Sequence, residues 1–204
     1  AGTVVAAHAN ALGTSAVNVT GDANLQMDAL AVSAFANDVS VADGKTLSVQ
    51  ALSTDFTGAL SGNGNVAVKT LYGGMTGSAD VLTLSGDNMA LAGTLSIGGL
   101  ASVNAKHVNA LGSGMLKITT QTFDKARTGT VNAGIAGVKL NDVSISLKDA
   151  NTAVLTADTD CNFAVAKGAT LYLDIGALGD DVLTGDEVAL TIAAASAFDN
   201  SFFS

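Results

Sequence analysis

The chain has 204 residues, of which 48% are hydrophobic and 4% aromatic, with no Trp and no Pro. This composition excludes a core anchored on large aromatic rings and calls for one filled by Ala, Val, Leu and Ile. The formal net charge of −9, nine basic against 18 acidic residues, excludes the basic stripe that nucleic-acid binding needs and any attraction to anionic membranes.

In chain order, Ala1-Gly2-Thr3-Val4-Val5 reads as strand rather than as a signal peptide. No apolar run reaches the ~18 residues of a membrane-spanning helix, so the chain reads as an excised or processed piece of a longer protein. Short alternating segments follow: Val17-Asn18-Val19, Leu25-Gln26-Met27, Val39-Ser40-Val41, Leu47-Ser48-Val49, Val66-Ala67-Val68 and Val81-Leu82-Thr83-Leu84. The pattern continues through Leu95-Ser96-Ile97, Leu116-Lys117-Ile118, Val143 to Leu147, Phe163-Ala164-Val165, Leu171-Tyr172-Leu173 and Val188 to Ile192. Period-two alternation puts the aliphatics on one face and Ser, Thr, Asn and Lys on the other. The Ala-rich stretch Ala29 to Ala36 lacks helix caps and is broken by Val, Ser and Phe, so it too reads as strand and turn.

Gly, Asn and Asp punctuate the strands, as in Thr20-Gly21-Asp22, Asp43-Gly44, Gly62-Asn63-Gly64, Gly86-Asp87-Asn88 and Lys167-Gly168. These residue types supply positive-φ corners, and Pro, which removes a ladder donor, is missing throughout. Strand pairs recur near every ~20 residues, the scale of a solenoid coil, which predicts roughly 9 coils. A longer repeat is also present: His8 to Val19 (HANALGTSAVNV) matches His107 to Ile118 (HVNALGSGMLKI) at an offset of 99 residues (107 − 8). Such self-similarity is the mark of a stacked architecture. The expected fold is therefore an all-β parallel β-helix, one domain over 1–204. Residues 178–204, with Phe198, Phe202 and Phe203, are expected to form a C-terminal cap or junction.

Three segments resemble a known pattern. Leu60-Ser61-Gly62-Asn63-Gly64-Asn65-Val66-Ala67-Val68-Lys69, then Val81 to Asn88, then Ala92 to Gly99 with Asn109 to Gly114, are similar to passenger-associated transport repeats. These occur in autotransporter passengers of the AIDA and pertactin-like type. The resemblance covers residues 60–118 and, in part, 1–25. It departs from the pattern at Leu71 to Asp80, where Tyr72-Gly73-Gly74 forms an insertion, and no outer-membrane barrel segment is present in the sequence. The resemblance implies a right-handed β-helix displayed on a Gram-negative cell surface, secreted unfolded through the outer membrane and stacked outside. It implies a structural stalk or an adhesin, with a host surface, a glycan or another copy as partner. The rival readings are a carbohydrate-active β-helix enzyme and a self-associating aggregation factor.

Candidate sites are few. His8 and His107 recur in the same phase of the repeat and read as turn residues rather than metal ligands. Asp158-Thr159-Asp160 and Asp180-Asp181 with Asp186-Glu187 are acidic clusters, but calcium needs several oxygens converging on one point, and they read as solvated turns. Tyr72 and Tyr172 are poor equipment for sugar stacking. Cys161, the single cysteine, excludes an internal disulfide and a Cys-based zinc site and reads as a strand-edge thiol. No Gly-x-Ser-x-Gly elbow and no phosphate loop occurs. The expectation is no enzyme, no catalytic residue, no metal and no cofactor. Binding, if carried by this segment, falls on Leu71 to Asp80 or on Gln121 to Gly129, which holds Phe123, Lys125 and Arg127.

Overall fold

A computed structural model of the protein describes residues 2–27, 31–71, 80–122, 126–147 and 153–175, with Leu178, Ala193, Ala197 and Phe198. Every strand pairing among them is parallel apart from one hairpin, and there is no helix among the described residues. The chain winds as a β-solenoid with three faces. Face 1 is eight strands in the order β1 (Gly2–Ala6), β3 (Ala23–Met27), β6 (Thr46–Gln50), β9 (Asn65–Lys69), β11 (Leu95–Ile97), β13 (Leu116–Ile118), β18 (Val143–Ser146), β21 (Leu171–Asp174). Face 2 is six strands: β4 (Ala34–Phe35), β7 (Ser53–Phe56), β10 (Asp80–Leu84), β12 (Ala101–Ala105), β16 (Thr130–Ala133), β19 (Leu155–Ala157). Face 3 begins with β2 (Val17–Val19), β5 (Val39–Val41) and β8 (Leu60–Ser61), continues through a bridge from Gly62 to Leu91, and resumes as β17 (Val138–Leu140) and β20 (Phe163–Val165).

The alternation read from the sequence is what makes this stack. On face 1 the inward positions form two unbroken columns. One runs Ala23, Leu47, Val66, Leu95, Leu116, Val143; the other runs Leu25, Val49, Val68, Ile97, Ile118, Ile145. Nearly all are fully buried, and burying each such side chain contributes about 1.5–3 kcal/mol. Face 2 answers with Thr54, Leu82, Val103, Val131 and Leu155, and with a column that tapers from Phe35 and Phe56 through Leu84 to Ala105, Ala133 and Ala157. The Phe35 and Phe56 rings lie 5.0 Å apart. A narrow interior of this kind needs few aromatics, which accounts for the composition.

Among the described residues six levels carry a strand on both larger faces, about six full turns where nine coils are expected for the whole chain. The coils are longer than ~20 residues because the corners vary: face 1 partners are offset by 21 (Gly2 to Ala23), 24, 19, 29, 21, 27 and 28 residues (Val143 to Leu171) along the stack. At the far end the tail rejoins the stack, with Ala193 bridging to Leu155 and Phe198 to Phe163, whose rings are 6.0 Å apart. Phe202 and Phe203 lie outside the described residues.

Two devices hold the corners. Asx side chains cross from one level to the next: Asp22 Oδ1 accepts Thr46 N–H (2.9 Å), Asp38 Oδ1 accepts Ala59 N–H (2.8 Å), and Asp142 Oδ1 accepts Thr170 N–H (2.8 Å). At the corner from face 3 to face 1, Gly64, Gly93 and Gly114 stack directly. A Cβ on Gly93 would lie 1.9 Å from Gly64 O, and one on Gly114 would lie 2.0 Å from Gly93 O. No side chain fits there, so these glycines are demanded by backbone approach.

Candidate binding edge

The three corners differ in how far the chain leaves the stack. From face 3 to face 1, two to five residues join successive strands, as at Asn141 and Asp142 between β17 and β18 or 166–170 between β20 and β21. From face 1 to face 2 the connections hold six (28–33), two (51–52), ten (70–79), three (98–100), eleven (119–129) and eight residues (147–154). Large insertions therefore gather on one edge, and both segments singled out in the sequence lie on it.

The connection 119–129 carries an antiparallel hairpin of β14 (Thr120–Thr122) and β15 (Ala126–Thr128). Thr is β-branched and favours strand, and Thr120 pairs with Thr128 while Gln121 pairs with Arg127. The Thr120 hydroxyl donates to Ser146 O at 2.7 Å and sits 2.8 Å from the Thr128 hydroxyl. The hairpin base is thus tied to the next level. Arg127 takes its place on β15; Phe123 and Lys125 lie outside the described residues.

The connection 70–79 is pinned at its ends. Asp80, 2% exposed, accepts Leu71 N–H through Oδ2, while its buried Oδ1 has no partner. Tyr72, with the rest of 72–79, lies outside the described residues. Lys69 closes β9 at the same edge and is exposed.

The remaining candidates do not converge. His8 and His107 lie at different levels, and each uses Nδ1 to accept the backbone N–H two residues on, from Asn10 (3.2 Å) and Asn109 (3.1 Å). Each histidine is therefore the cap of its own turn. His107 also stands 3.9 Å from Asp87, which has no counterpart beside His8 among the described residues. The Asp87 carboxyl is held below its ordinary range, first by the hydrogen bond from Asn109 Nδ2 (2.8 Å), then by Met89 N–H, with lesser pulls from His107 and Lys139.

Asp158 and Asp160 sit in the turn between β19 and β20, where Asp158 accepts Asn132 Nδ2 at 3.0 Å and Asp160 has φ +62°. Asp180, Asp181, Asp186 and Glu187 lie outside the described residues. No group of three or more His, Cys, Asp or Glu side chains able to hold a metal occurs among the described residues. Tyr172 stands half-exposed on β21 beside Ser144. Cys161 lies in a turn, partly buried against the core, rather than at a strand edge.

Sequence reasoning passed over two buried amides. Asn88, fully buried, accepts Leu60 N–H at Oδ1 and donates to Ala110 O, both at 2.7 Å, linking three levels. Asn37 donates to Gly13 O (3.0 Å) and Ser15 O (2.8 Å). The visible signal was an Asn beside an Asp ahead of an aliphatic strand, at Asn37-Asp38 and Asp87-Asn88.

No family model matches the chain, and neither the curated proteins nor the solved structures yield a match.

Proposed function

We propose that this chain is part of an exported bacterial surface protein, a rigid stalk that carries an adhesive edge. Its place is outside the cell, with a right-handed winding and a single domain over 1–204. It performs no catalysis and needs no cofactor. The observation that carries this reading is the segregation of insertions. The corner from face 3 to face 1 keeps to two to five residues, whereas the edge between faces 1 and 2 takes connections of ten and eleven. Loops mounted on a regular scaffold are where binding concentrates. The similarity of residues 60–118 to passenger-associated transport repeats supports the surface assignment. So does the stacking itself, since each level can template the next as a chain emerges from a pore. The partner is a host surface or a glycan, met along that edge.

The test is display of the chain on a bacterial surface, intact and with residues 120–128 replaced by a Gly-Ser link. Adhesion to host cells or immobilised glycans is lost in the shortened form while its thermal melt and β-sheet circular dichroism persist. Adhesion unchanged by the replacement, and by a matching one across 71–79, overturns the assignment of the edge.

A further inference from the structure

The corner from face 3 to face 1 breaks its own rule once. Through Gly64, Gly93 and Gly114 it is closed solid by backbone stacked on backbone. At the next level β17 passes to β18 in two residues, Asn141 and Asp142, while the level after takes five, 166–170. A short turn between two longer ones leaves a notch of about 270 Å³, with Ser113 to Met115 as one wall, Asn141 and Asp142 as the floor and Ala166 to Ala169 as the other wall. We propose that this notch binds one acidic saccharide unit, a hexuronate, at the end of or within a glycan. The proposal is independent of the adhesive edge, which lies at another corner.

The chemistry of the lining selects the ligand. The floor side chains are half spent on the stack. Asp142 uses Oδ1 to accept Thr170 N–H (2.8 Å), and Asn141 uses Nδ2 to donate to Gly112 O (3.2 Å). The Ser113 hydroxyl donates to Leu91 O at 3.3 Å. What remains toward a ligand is acceptor capacity on Asp142, Asn141 and Ser113, with one further N–H on Asn141. A polyol supplies the matching hydroxyl donors. The one cation in the lining is Lys167, which is exposed and forms no ion pair with Asp142 within 4.0 Å. An ammonium beside three acceptors suits a ring bearing several hydroxyls and one carboxylate. The volume sits just below the ~300 Å³ at which drug-sized pockets begin, so it holds one sugar unit rather than several. Without an aromatic platform the affinity falls in the millimolar range and gains strength on a polymer through multivalency.

The experiment is an amide NMR titration of the full chain with methyl β-D-glucuronide and, separately, methyl β-D-glucoside. The glucuronide produces saturable shifts at Ser113, Asn141, Asp142 and Lys167, and binds more tightly than the glucoside. Lys167→Gln removes that preference, a loss of about fivefold for one exposed charge pair. Ala169→Trp, which fills the notch, abolishes the shifts while leaving the rest of the spectrum in place. Equal response to the two sugars, shifts confined to other residues, or glucuronide binding that survives both variants overturns the proposal.

Discussion

His8 to Val19 and His107 to Ile118 share one sequence string and one turn, yet occupy different places in the molecule. Both turns close with the same bonds, Ala11 N–H to His8 O and Gly13 N–H to Asn10 O in the first, Ala110 N–H to His107 O and Gly112 N–H to Asn109 O in the second, all 3.0 Å. The first leaves β1 on face 1 and delivers the chain to β2 on face 3. The second leaves β12 on face 2 and delivers it to β13 on face 1. In each case the turn stands where a strand of the intervening face would be. The string therefore encodes a portable turn, stabilised by its own histidine, and the level around it decides which strand it replaces. The surroundings differ as well. Ala110, Leu111 and Gly112 are buried between levels, whereas Ala11 and Gly13 are exposed at the start of the stack.

That contrast yields paired predictions, all read by chemical denaturation. The largest effect is at the amides that clamp the two turns. Asn88→Ala orphans Leu60 N–H and Ala110 O inside the stack and costs about 4 kcal/mol, two buried groups at about 1–3 each. Asn37→Ala frees carbonyls of exposed Gly13 and Ser15, which water can satisfy, and costs about 1 kcal/mol. Equal costs would show that the second turn is no better enclosed than the first.

Next comes the leucine. Leu111→Ala empties a buried site and costs about 3 kcal/mol; Leu12→Ala, at a half-buried one, costs about 1 kcal/mol. The glycines follow. Both Gly13 (φ +69°) and Gly112 (φ +78°) lie in the left-handed region, where a Cβ costs about 1–2 kcal/mol. A Cβ on Gly112 also meets Leu91 O at 2.8 Å, while one on Gly13 meets nothing. Gly112→Ala is thus the more damaging of the two.

The smallest effect is on pH dependence. The folded state depresses the Asp87 carboxyl, so its contribution is present above the ordinary carboxylate range and is lost as pH falls through the lowered folded value. Asp87→Asn removes that part of the acid limb of the stability curve. A limb unchanged in Asp87→Asn shows that the Asn109 bond does not steady the second turn.

The sequence carried the face pattern well, and for a physical reason: alternation is a property of each strand alone. Leu95-Ser96-Ile97 and Leu116-Lys117-Ile118 read as inward-outward-inward and are buried, outward, buried in the stack. Coil length was less legible because it belongs to the corners. The eleven residues between β13 and β16 and the two between β6 and β7 serve the same corner, and no local signal fixes which level takes an insertion. The hairpin was hidden because Thr120-Gln121-Thr122 and Ala126-Arg127-Thr128 carry no aliphatic alternation; their pairing rests on backbone bonds. The Gly64, Gly93 and Gly114 column was visible as glycines but not as a column, since stacking depends on register across 29 and 21 residues (93 − 64 and 114 − 93). The notch at Asn141 and Asp142 follows from two neighbouring corners of unequal length, which no single segment reveals.

Spin-label distances along face 1 test the stacking most directly. Asn24, Ser96, Lys117, Ser144 and Tyr172 occupy one outward row, on β3, β11, β13, β18 and β21. With labels on Asn24 and each of the others in turn, backbone separations rise in even steps through about 14, 19, 24 and 29 Å, one strand spacing per level. Distances that fail to increase in that order, as in two antiparallel sheets folded face to face, contradict the solenoid.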